Sequence, residues 1–197
     1  MTQTAVTRSA AAAWAAFGGC VLAVRSRRVG RAETSLMLRV NDLPDQLHAP
    51  LWTVMQLGAL ASPIVCGAVA TVTGRPELGR RLVASGVGAY VAAKMVKKLV
   101  GRARPDDLVT GIQVRGKPAD GGGFISGHAA VSTALAVEAY LTFGPDTWPL
   151  PYLLAPLVGL SRVYVGAHLP LDVAGGAAFG WALSATVHRF AARQDRV

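Results

Sequence analysis

A run of 26 residues without a charged side chain, residues 49–74, most constrains what this chain can fold into. An α-helix needs about 20 apolar residues to cross the hydrocarbon core of a bilayer, and this run is long enough to do so. Hydrophobic residues make up 52% of the 197-residue chain and charged residues only 16%, which is more apolar than an ordinary soluble domain. The sequence therefore predicts an integral membrane protein.

Further apolar segments accompany this run, each shorter or less clean. They are residues 9–24, 78–100, 128–145, 147–161 and 173–187. Because helices satisfy their own backbone hydrogen bonds in lipid, we expect an all-α fold, a polytopic membrane helix bundle of about six transmembrane helices. Residues 31–43 place Leu36, Val40 and Leu43 near helical spacing among polar residues, which predicts a short amphipathic helix on the membrane surface.

The net charge of +9 raises the question of nucleic-acid binding. The basic residues lie between apolar runs and aromatic residues make up only 7% of the chain, so we expect the positive charge to meet anionic lipid headgroups and expect no nucleic-acid partner. The two cysteines, Cys20 and Cys66, lie in apolar runs without a second Cys or His at a ligand spacing. This pattern predicts neither a disulfide nor a zinc site.

The first of three polar clusters consists of Lys97, Arg104 and Pro105, in the pattern K-x6-R-P. On a continuous helix the two cations would lie two turns apart on one face, and Pro105 would end the helix. A forked guanidinium and an ammonium at a membrane edge suit an anion with several oxygens. Taken alone, the cluster is equally compatible with basic side chains at a helix end that extend to the lipid headgroups and bind no substrate.

The second cluster, Ser126, Gly127 and His128, opens an apolar segment. The free N–H groups at a helix start bind anions, and Gly127 allows a ligand to approach the backbone closely. A plain Ser cap with a solvent-facing His explains the same residues. Both interpretations predict that a helix begins here.

The third cluster is Ser161, Arg162, His168 and Asp172. His168 and Asp172 are spaced i, i+4, so they are neighbours if the segment is helical. A carboxylate bonded to one imidazole nitrogen leaves the other nitrogen free to attack. A helix-stabilising His–Asp pair is the alternative, but charged groups between apolar spans are costly unless they face a polar cavity.

In this order the three clusters resemble the type 2 phosphatidic acid phosphatase superfamily, whose pattern is K-x6-R-P, then P-S-G-H, then S-R-x5-H-x3-D. The resemblance covers about residues 48 to 190. Ile125 stands where the family usually has Pro, and we expect altered loop geometry with retained activity. The resemblance implies three regions, namely an N-terminal span with its interfacial helix (1–47), a lipid-phosphatase core (48–190) and a polar tail (191–197).

The resemblance also implies roles for individual residues. His168 would be the nucleophile, Asp172 its orienting partner and His128 the acid for the leaving group. The phosphoryl oxygens would be held by Lys97, Arg104, Ser126, Gly127 and Arg162. No carboxylate cluster is present to hold Mg²⁺ or Zn²⁺, so we expect no cofactor and no metal, with the cations in the place of a metal.

The substrate expected from the resemblance is a polyprenyl phosphate or diphosphate, held in a cell (plasma) membrane. A phosphatidate or phosphatidylglycerol-phosphate phosphatase would use the same chemistry, and a catalytically idle lipid-binding subunit is a third reading. Homo-oligomerisation is left open. With six spans the clusters share one membrane side, opposite both termini. Family members suggest an outward site, whereas five arginines between residues 25 and 39 on that side oppose it under the positive-inside rule.

Glu138 is a charged residue outside the three clusters. It lies ten residues after His128, about 15 Å along a helix at 1.5 Å per residue, hence deep in the bilayer. An ionisable residue at that depth is a candidate for function, but it lies beyond the reach of the clusters. We expect a non-catalytic group, either a neutral carboxyl or a helix–helix hydrogen bond.

Overall fold

The computed structural model describes residues 3–26, 28–118, 120–144 and 150–194. Within these ranges the fold is all-helical, as predicted, and no strand occurs. The helices are α1 (Gln3–Val24), α2 (Arg31–Asn41), α3 (His48–Met55), α4 (Ala61–Val72), α5 (Pro76–Val100), α6 (Pro105–Leu108), α7 (Gly127–Phe143), α8 (Leu150–Tyr164) and α9 (Pro170–Gln194). Short 3-10 turns at Asp45–Leu47 and Gln56–Gly58 flank α3.

The uncharged run 49–74 does not form the single straight helix that its composition predicts. It is divided between α3 and α4, which are bent by 66° at the intervening break. Pro63 explains the break, because its ring would clash with the carbonyl of Ala59 in a continuous helix and it has no N–H to donate. Ala59 instead takes an extended conformation with φ −75° and ψ 161°.

Few of the described helices qualify individually as membrane spans. By length and composition one helix does so, Thr4–Val24, and a second span results if the bent pair Asp45–Gly58 and Ala61–Val72 counts as one. Helix α7 has 17 residues and α8 has 15, fewer than the ~20 that a full crossing needs. The count of six spans therefore stays a prediction.

Helices α5, α7 and α9 form the centre of the bundle, where small residues allow close packing. A Cβ atom added to Gly180 would lie 2.2 Å from the Ala130 carbonyl oxygen, and one added to Gly176 would lie 2.4 Å from the Ser126 carbonyl oxygen. Glycines of α9 thus bring its first turns against the start of α7. This contact places the second and third polar clusters side by side.

Helix α2 differs from the amphipathic helix predicted for residues 31–43. Leu36, which was expected on its apolar face, is half exposed, whereas Met37 is fully buried. The face that packs on the protein consists of Glu33, Met37 and Asn41, spaced i, i+4 and i+8. Asn41 donates to the carbonyls of Gln113 and Tyr164 at 2.9 Å each. Helix α2 is therefore fastened to the bundle by polar contacts as well as apolar ones.

Candidate active site

The three polar clusters predicted from the sequence meet at one end of the bundle. The Ser126 N–H donates to the Asp172 carbonyl at 2.9 Å, and the Gly123 N–H donates to the Arg102 carbonyl at 2.7 Å. Lys97 Nζ donates to the Gly122 carbonyl at 3.0 Å. The glycine-rich segment before α7 thus joins the end of α5 to the start of α9.

His168 lies in the short connection between α8 and α9 and is 2% exposed. Its Nε2 is 3.4 Å from Arg104 Nη1, and its Nδ1 is 3.7 Å from Asp172 Oδ2. That second distance exceeds a hydrogen bond, and Nδ1 is buried without a partner. The two nitrogens of the imidazole therefore face different groups, a cation on one side and a carboxylate on the other.

Burial, and then the positive charges of Lys97, Arg162 and Arg104, hold the pKa of His168 well below its usual value of 6.5. Burial disfavours the imidazolium because it removes water from the charged form, and nearby cations disfavour it by repulsion. His168 is consequently neutral near pH 7, and a neutral imidazole has a lone pair available for attack.

Arg162, near the end of α8, is buried and largely without polar partners. Its Nη1 lies 2.9 Å from the thioether sulfur of Met55, and its Nε is buried with no hydrogen-bond partner. A sulfur atom is a weak acceptor. A buried guanidinium with unused donors is costly, and an anionic ligand would satisfy it.

Lys97 and Arg104 do not lie on one continuous helix, so that prediction was wrong. Helix α5 ends at Val100, because Gly101 adopts φ +63°, a left-handed conformation that glycine accommodates readily. Arg104 is therefore the residue before α6 rather than two turns above Lys97 on α5. Its guanidinium donates to the carbonyls of Gly121 at 2.9 Å and Ala167 at 2.6 Å.

Helix α7 begins at Gly127 with Ser126 as its N-cap, as the sequence predicts. The Ser126 hydroxyl accepts from the Ala129 N–H at 3.4 Å, and the Ser126 side chain is fully buried. A Cβ added to Gly58 would lie 2.6 Å from the His128 carbonyl oxygen. The break between α3 and α4 thus lets the backbone approach the first turn of α7, a contact that the sequence reading missed.

Two further residues of this region were also missed. Arg102 Nη1 donates to Asp172 Oδ1 at 2.7 Å, and Arg102 Nη2 donates to Glu33 Oε2 at 2.7 Å. Arg102 lies inside the six-residue spacer of the first cluster, so its position drew no attention. Glu33 lies in α2, 69 residues earlier, and no local pattern links the two.

Glu138 lies apart from this site, in the interior of the bundle. Its Oε1 accepts from Ser85 of α5 at 2.9 Å and from Ser184 of α9 at 3.1 Å. Its Oε2 lies 3.3 Å from both Arg81 Nε and His188 Nδ1. The prediction of a helix–helix hydrogen bond is confirmed.

Metal ligands are not grouped in the part of the chain that the structure describes. Within residues 3–26, 28–118, 120–144 and 150–194, no cluster of three or more His, Cys, Asp or Glu side chains could hold a metal ion. Apart from the Asp172 carboxylate, the charged groups around His168 are the cations Lys97, Arg104 and Arg162. Such a set binds the oxygens of an anion.

Comparison with known proteins identifies the family. Residues 79–196 match the model of the PAP2 superfamily. The decaprenylphosphoryl-5-phosphoribose phosphatase of Mycobacterium tuberculosis is 33% identical over 169 residues, covering 82% of this chain and 92% of that protein. The undecaprenyl-diphosphatase of Sulfolobus acidocaldarius is 39% identical over 101 residues, covering 51% of this chain and 48% of that protein.

Two solved structures share the fold. The first is a transmembrane PAP2 type phosphatidylglycerolphosphate phosphatase from Bacillus subtilis, with a TM-score of 0.75 and 21% identity, covering 94% of this chain and 96% of that one. The second is LpxE from Aquifex aeolicus, with a TM-score of 0.70 and 23% identity, covering 78% of this chain and 93% of that one. Helix content, motif order and relatives agree, and the chain therefore belongs to the PAP2 superfamily as a helical membrane enzyme that hydrolyses lipid phosphates.

Proposed function

We propose that this enzyme removes phosphate from a polyprenyl phosphate or diphosphate through a phosphohistidine intermediate on His168. One observation carries the proposal: a buried imidazole beside Arg104, with the unpartnered Nε of Arg162 buried in the same region. The neutral imidazole supplies a nucleophile, and the cations supply charge stabilisation for the phosphoryl oxygens.

In the first step, Nε2 of His168 attacks the phosphorus atom, and the bond from phosphorus to the lipid or diphosphate oxygen breaks. His128 donates a proton to that leaving oxygen, so an alcohol or a lipid monophosphate departs. Asp172 Oδ2, 3.7 Å from Nδ1, stabilises the positive charge that forms on the ring. Lys97, Arg104, Arg162, the Ser126 hydroxyl and the Gly127 N–H hold the three phosphoryl oxygens.

In the second step, water attacks the phosphorus atom and the N–P bond to His168 breaks. His128 accepts the proton from that water, by reversal of its first role. Inorganic phosphate leaves and His168 returns to the neutral form. An in-line displacement requires His128 and His168 to act from opposite sides of the phosphorus atom. The cycle balances without a redox partner or a metal.

An apolar cavity along α7, lined by none of the predicted site residues, supports a lipid substrate. It has a volume of about 390 Å³ and is lined by residues of α4, α5, α7 and α8. Ser132 lies at one end, one turn after His128, and Phe143 lies at the other, where α7 ends. A long hydrocarbon tail favours such a surface over water, so the tail would extend from the phosphoryl site along α7.

The polyprenyl assignment rests on the relatives. Two of them are named for decaprenyl and undecaprenyl substrates, and the Mycobacterium tuberculosis protein matches 82% of this chain. That protein is named for a phosphate on a decaprenyl-linked ribose, so a polyprenyl phosphosugar is a second candidate substrate. Phosphatidylglycerol phosphate, for which the Bacillus subtilis protein is named, is the glycerolipid alternative.

The substrate experiment measures phosphate release by the purified full-length protein in EDTA. The panel contains polyprenyl monophosphate, polyprenyl diphosphate, decaprenylphosphoryl-5-phosphoribose, phosphatidate and phosphatidylglycerol phosphate. We expect a polyprenyl substrate to have the highest kcat/KM. A clear preference for phosphatidylglycerol phosphate would overturn the substrate assignment, and activity that is lost in EDTA and restored by Mg²⁺ would overturn the mechanism.

The intermediate can be trapped separately. Substrate labelled with ³²P in the reacting phosphoryl group should leave an acid-labile label on the wild-type protein after rapid quenching. The same label should be missing from the His168→Ala variant and present on Glu138→Gln. A label that persists on His168→Ala would show that another residue is the nucleophile.

We also propose that the site faces outward across the plasma membrane, as the family resemblance favours. The positive-inside rule does not supply this support, because seven arginines at residues 8, 75–81 and 189–196 on the opposite side are offset by the five between residues 25 and 39 on the side of the site. Single cysteines replacing the exposed Lys117 and Arg80, in a chain without Cys20 and Cys66, test this. A membrane-impermeant maleimide should label Lys117→Cys but not Arg80→Cys in intact cells, and the reverse pattern would place the site inside.

A further inference from the structure

A buried carboxylate–guanidinium–carboxylate chain connects α2 to the catalytic end of α9. Arg102 lies at its centre, between Glu33 and Asp172. The side chains are 8%, 4% and 0% exposed for Glu33, Arg102 and Asp172 respectively. Arg102 Nη1 lies 2.7 Å from Asp172 Oδ1 and 3.1 Å from Glu33 Oε1, and Nη2 lies 2.7 Å from Glu33 Oε2.

We propose that Glu33 and Arg102 are positioning residues for the reaction, because together they hold the Asp172 carboxylate beside Nδ1 of His168. This inference rests on the proposed function of His168. It makes helix α2, which none of the three sequence motifs includes, a part of the catalytic apparatus.

The contacts of Arg102 separate it from the cations that bind phosphate. Both of its terminal nitrogens donate to carboxylates, and its side chain is almost fully buried. Arg162, in contrast, has a buried Nε without a partner. The geometry therefore directs Arg102 toward Asp172 and leaves the binding of phosphoryl oxygens to the other cations.

The Asp172 carboxylate is held from two sides. Arg102 binds Oδ1, and the backbone N–H of Leu169, the residue after His168, donates to Oδ2 at 2.9 Å. These two bonds fix the plane of the carboxylate, so that Oδ2 lies 3.7 Å from His168 Nδ1. Without Arg102 the carboxylate would be a buried charge with one remaining strong donor, free to rotate away from the imidazole.

Glu33, which lies in helix α2, holds the Arg102 guanidinium in place. It binds both terminal nitrogens of Arg102, and its Oε1 also accepts from the Leu171 N–H at 3.0 Å. Leu171 directly precedes Asp172. Burial of Met37 and the hydrogen bonds of Asn41 on the same face of α2 keep Glu33 in this position.

The positioning role predicts a specific kinetic pattern, measured on the full-length protein with the best substrate of the panel. Glu33→Gln keeps the side-chain shape and removes the charge, and it should lower kcat by about tenfold. Arg102→Met should lower kcat by up to about 100-fold, by analogy with the range found for partners that orient metal-binding histidines. KM should stay within about twofold, since neither residue binds substrate. Arg102→Lys should recover part of the loss because it restores a cation to Asp172.

Glu138→Gln is the matched control, because it also neutralises a buried carboxylate that is paired with an arginine. Its kcat should stay within about twofold of wild type. If Glu33→Gln leaves kcat unchanged, raises KM instead, or lowers kcat no more than Glu138→Gln does, the positioning role is wrong. The His168→Ala variant distinguishes failure of the proposed function from failure of this inference. If His168→Ala retains activity, the proposed nucleophile is wrong. If His168→Ala is inactive and Glu33→Gln is fully active, only the role of Glu33 and Arg102 is wrong.

Discussion

Two buried carboxylate clusters of this protein use the same residue types for different purposes. One surrounds Asp172 at the end of the bundle where the motifs meet, and the other surrounds Glu138, about 15 Å further along α7 by its ten-residue separation from His128. Each contains an arginine, a histidine and a carboxylate. The comparison shows what distinguishes a reactive site from a structural polar core.

The difference lies in whether the buried arginine has an anionic partner. At Glu138, two serines, one arginine and one histidine surround the carboxylate, and both oxygens have partners from other helices. Arg81 Nε forms no hydrogen bond there, but it lies 3.3 Å from Glu138 Oε2, so its charge is paired. At Asp172 the carboxylate is held by Arg102, while the Nε of the nearby Arg162 is buried without a partner. A buried cation without an anion beside it is unfavourable, so the second arrangement suits a site that an anion enters.

The largest expected difference between the clusters is in turnover. His168→Ala should lower phosphatase activity by more than about 100-fold, a loss of over ~2.8 kcal/mol in transition-state stabilisation, because the proposed phosphoenzyme forms on His168. Glu138→Gln should keep activity near wild type. Phosphate release per milligram of folded protein checks both, and a loss in Glu138→Gln comparable with that in His168→Ala would abolish the distinction.

A smaller effect is expected on anion binding. Vanadate in trigonal-bipyramidal form resembles the phosphoryl-transfer transition state, and such mimics bind tightly. Removal of the unused guanidinium donors in Arg162→Met should weaken vanadate inhibition by about tenfold or more, measured as the inhibition constant in EDTA. Arg81→Met, at the Glu138 cluster, is the control, and equal weakening in both variants would indicate a general structural effect.

The stability of the folded protein should depend on the Glu138 cluster, although its activity should not. Glu138→Gln removes the charge that pairs with Arg81 and leaves part of the network unpaired, so we expect a loss of about 1–3 kcal/mol in the free energy of unfolding. Thermal unfolding in a fixed detergent would show this as a lower Tm than that of wild type. An unchanged Tm would mean that the Glu138 hydrogen bonds contribute little to holding α5, α7 and α9 together.

The protonation of His168 gives the finest test of the comparison. Since burial and the neighbouring cations lower the pKa of His168, its ring should stay neutral as pH falls from 8 to 6.5 and become charged only below the usual histidine range of about 6.5. Activity that requires the neutral ring is thus present above that lowered pKa and lost below it. NMR of ¹⁵N-histidine-labelled protein, assigned with His168→Ala, measures this directly, and protonation at or above pH 6.5 would contradict it.

Several features could be predicted from local sequence because they depend on residues close together in the chain. The start of α7 at Gly127 follows from a Ser N-cap before an apolar segment. The proximity of His168 and Asp172 follows from their i, i+4 spacing, although His168 itself precedes the first turn of α9. The residue types of the three clusters indicate phosphoryl chemistry, because that chemistry needs a nucleophile, an acid and several cations.

Other features could not be predicted because they depend on packing. An uncharged run predicts a span by composition, but Pro63 divides it, and only the fold shows that the break lets Gly58 approach His128. Likewise, a glycine ends α5 before Arg104, so this cation reaches His168 from a loop and not from the helical face that spacing predicts.

By itself, the sequence determined the chemical groups of the site and the family of the enzyme, since motifs keep residue type and spacing. Only the tertiary structure decided that Glu33 of α2 binds Arg102, 69 residues further along the chain, and through it contacts Asp172. The physical reason is that a buried charge must be paired by whichever opposite charge the fold brings near it. That partner is set by the packing of α2 against the bundle, and no local pattern of residues encodes it.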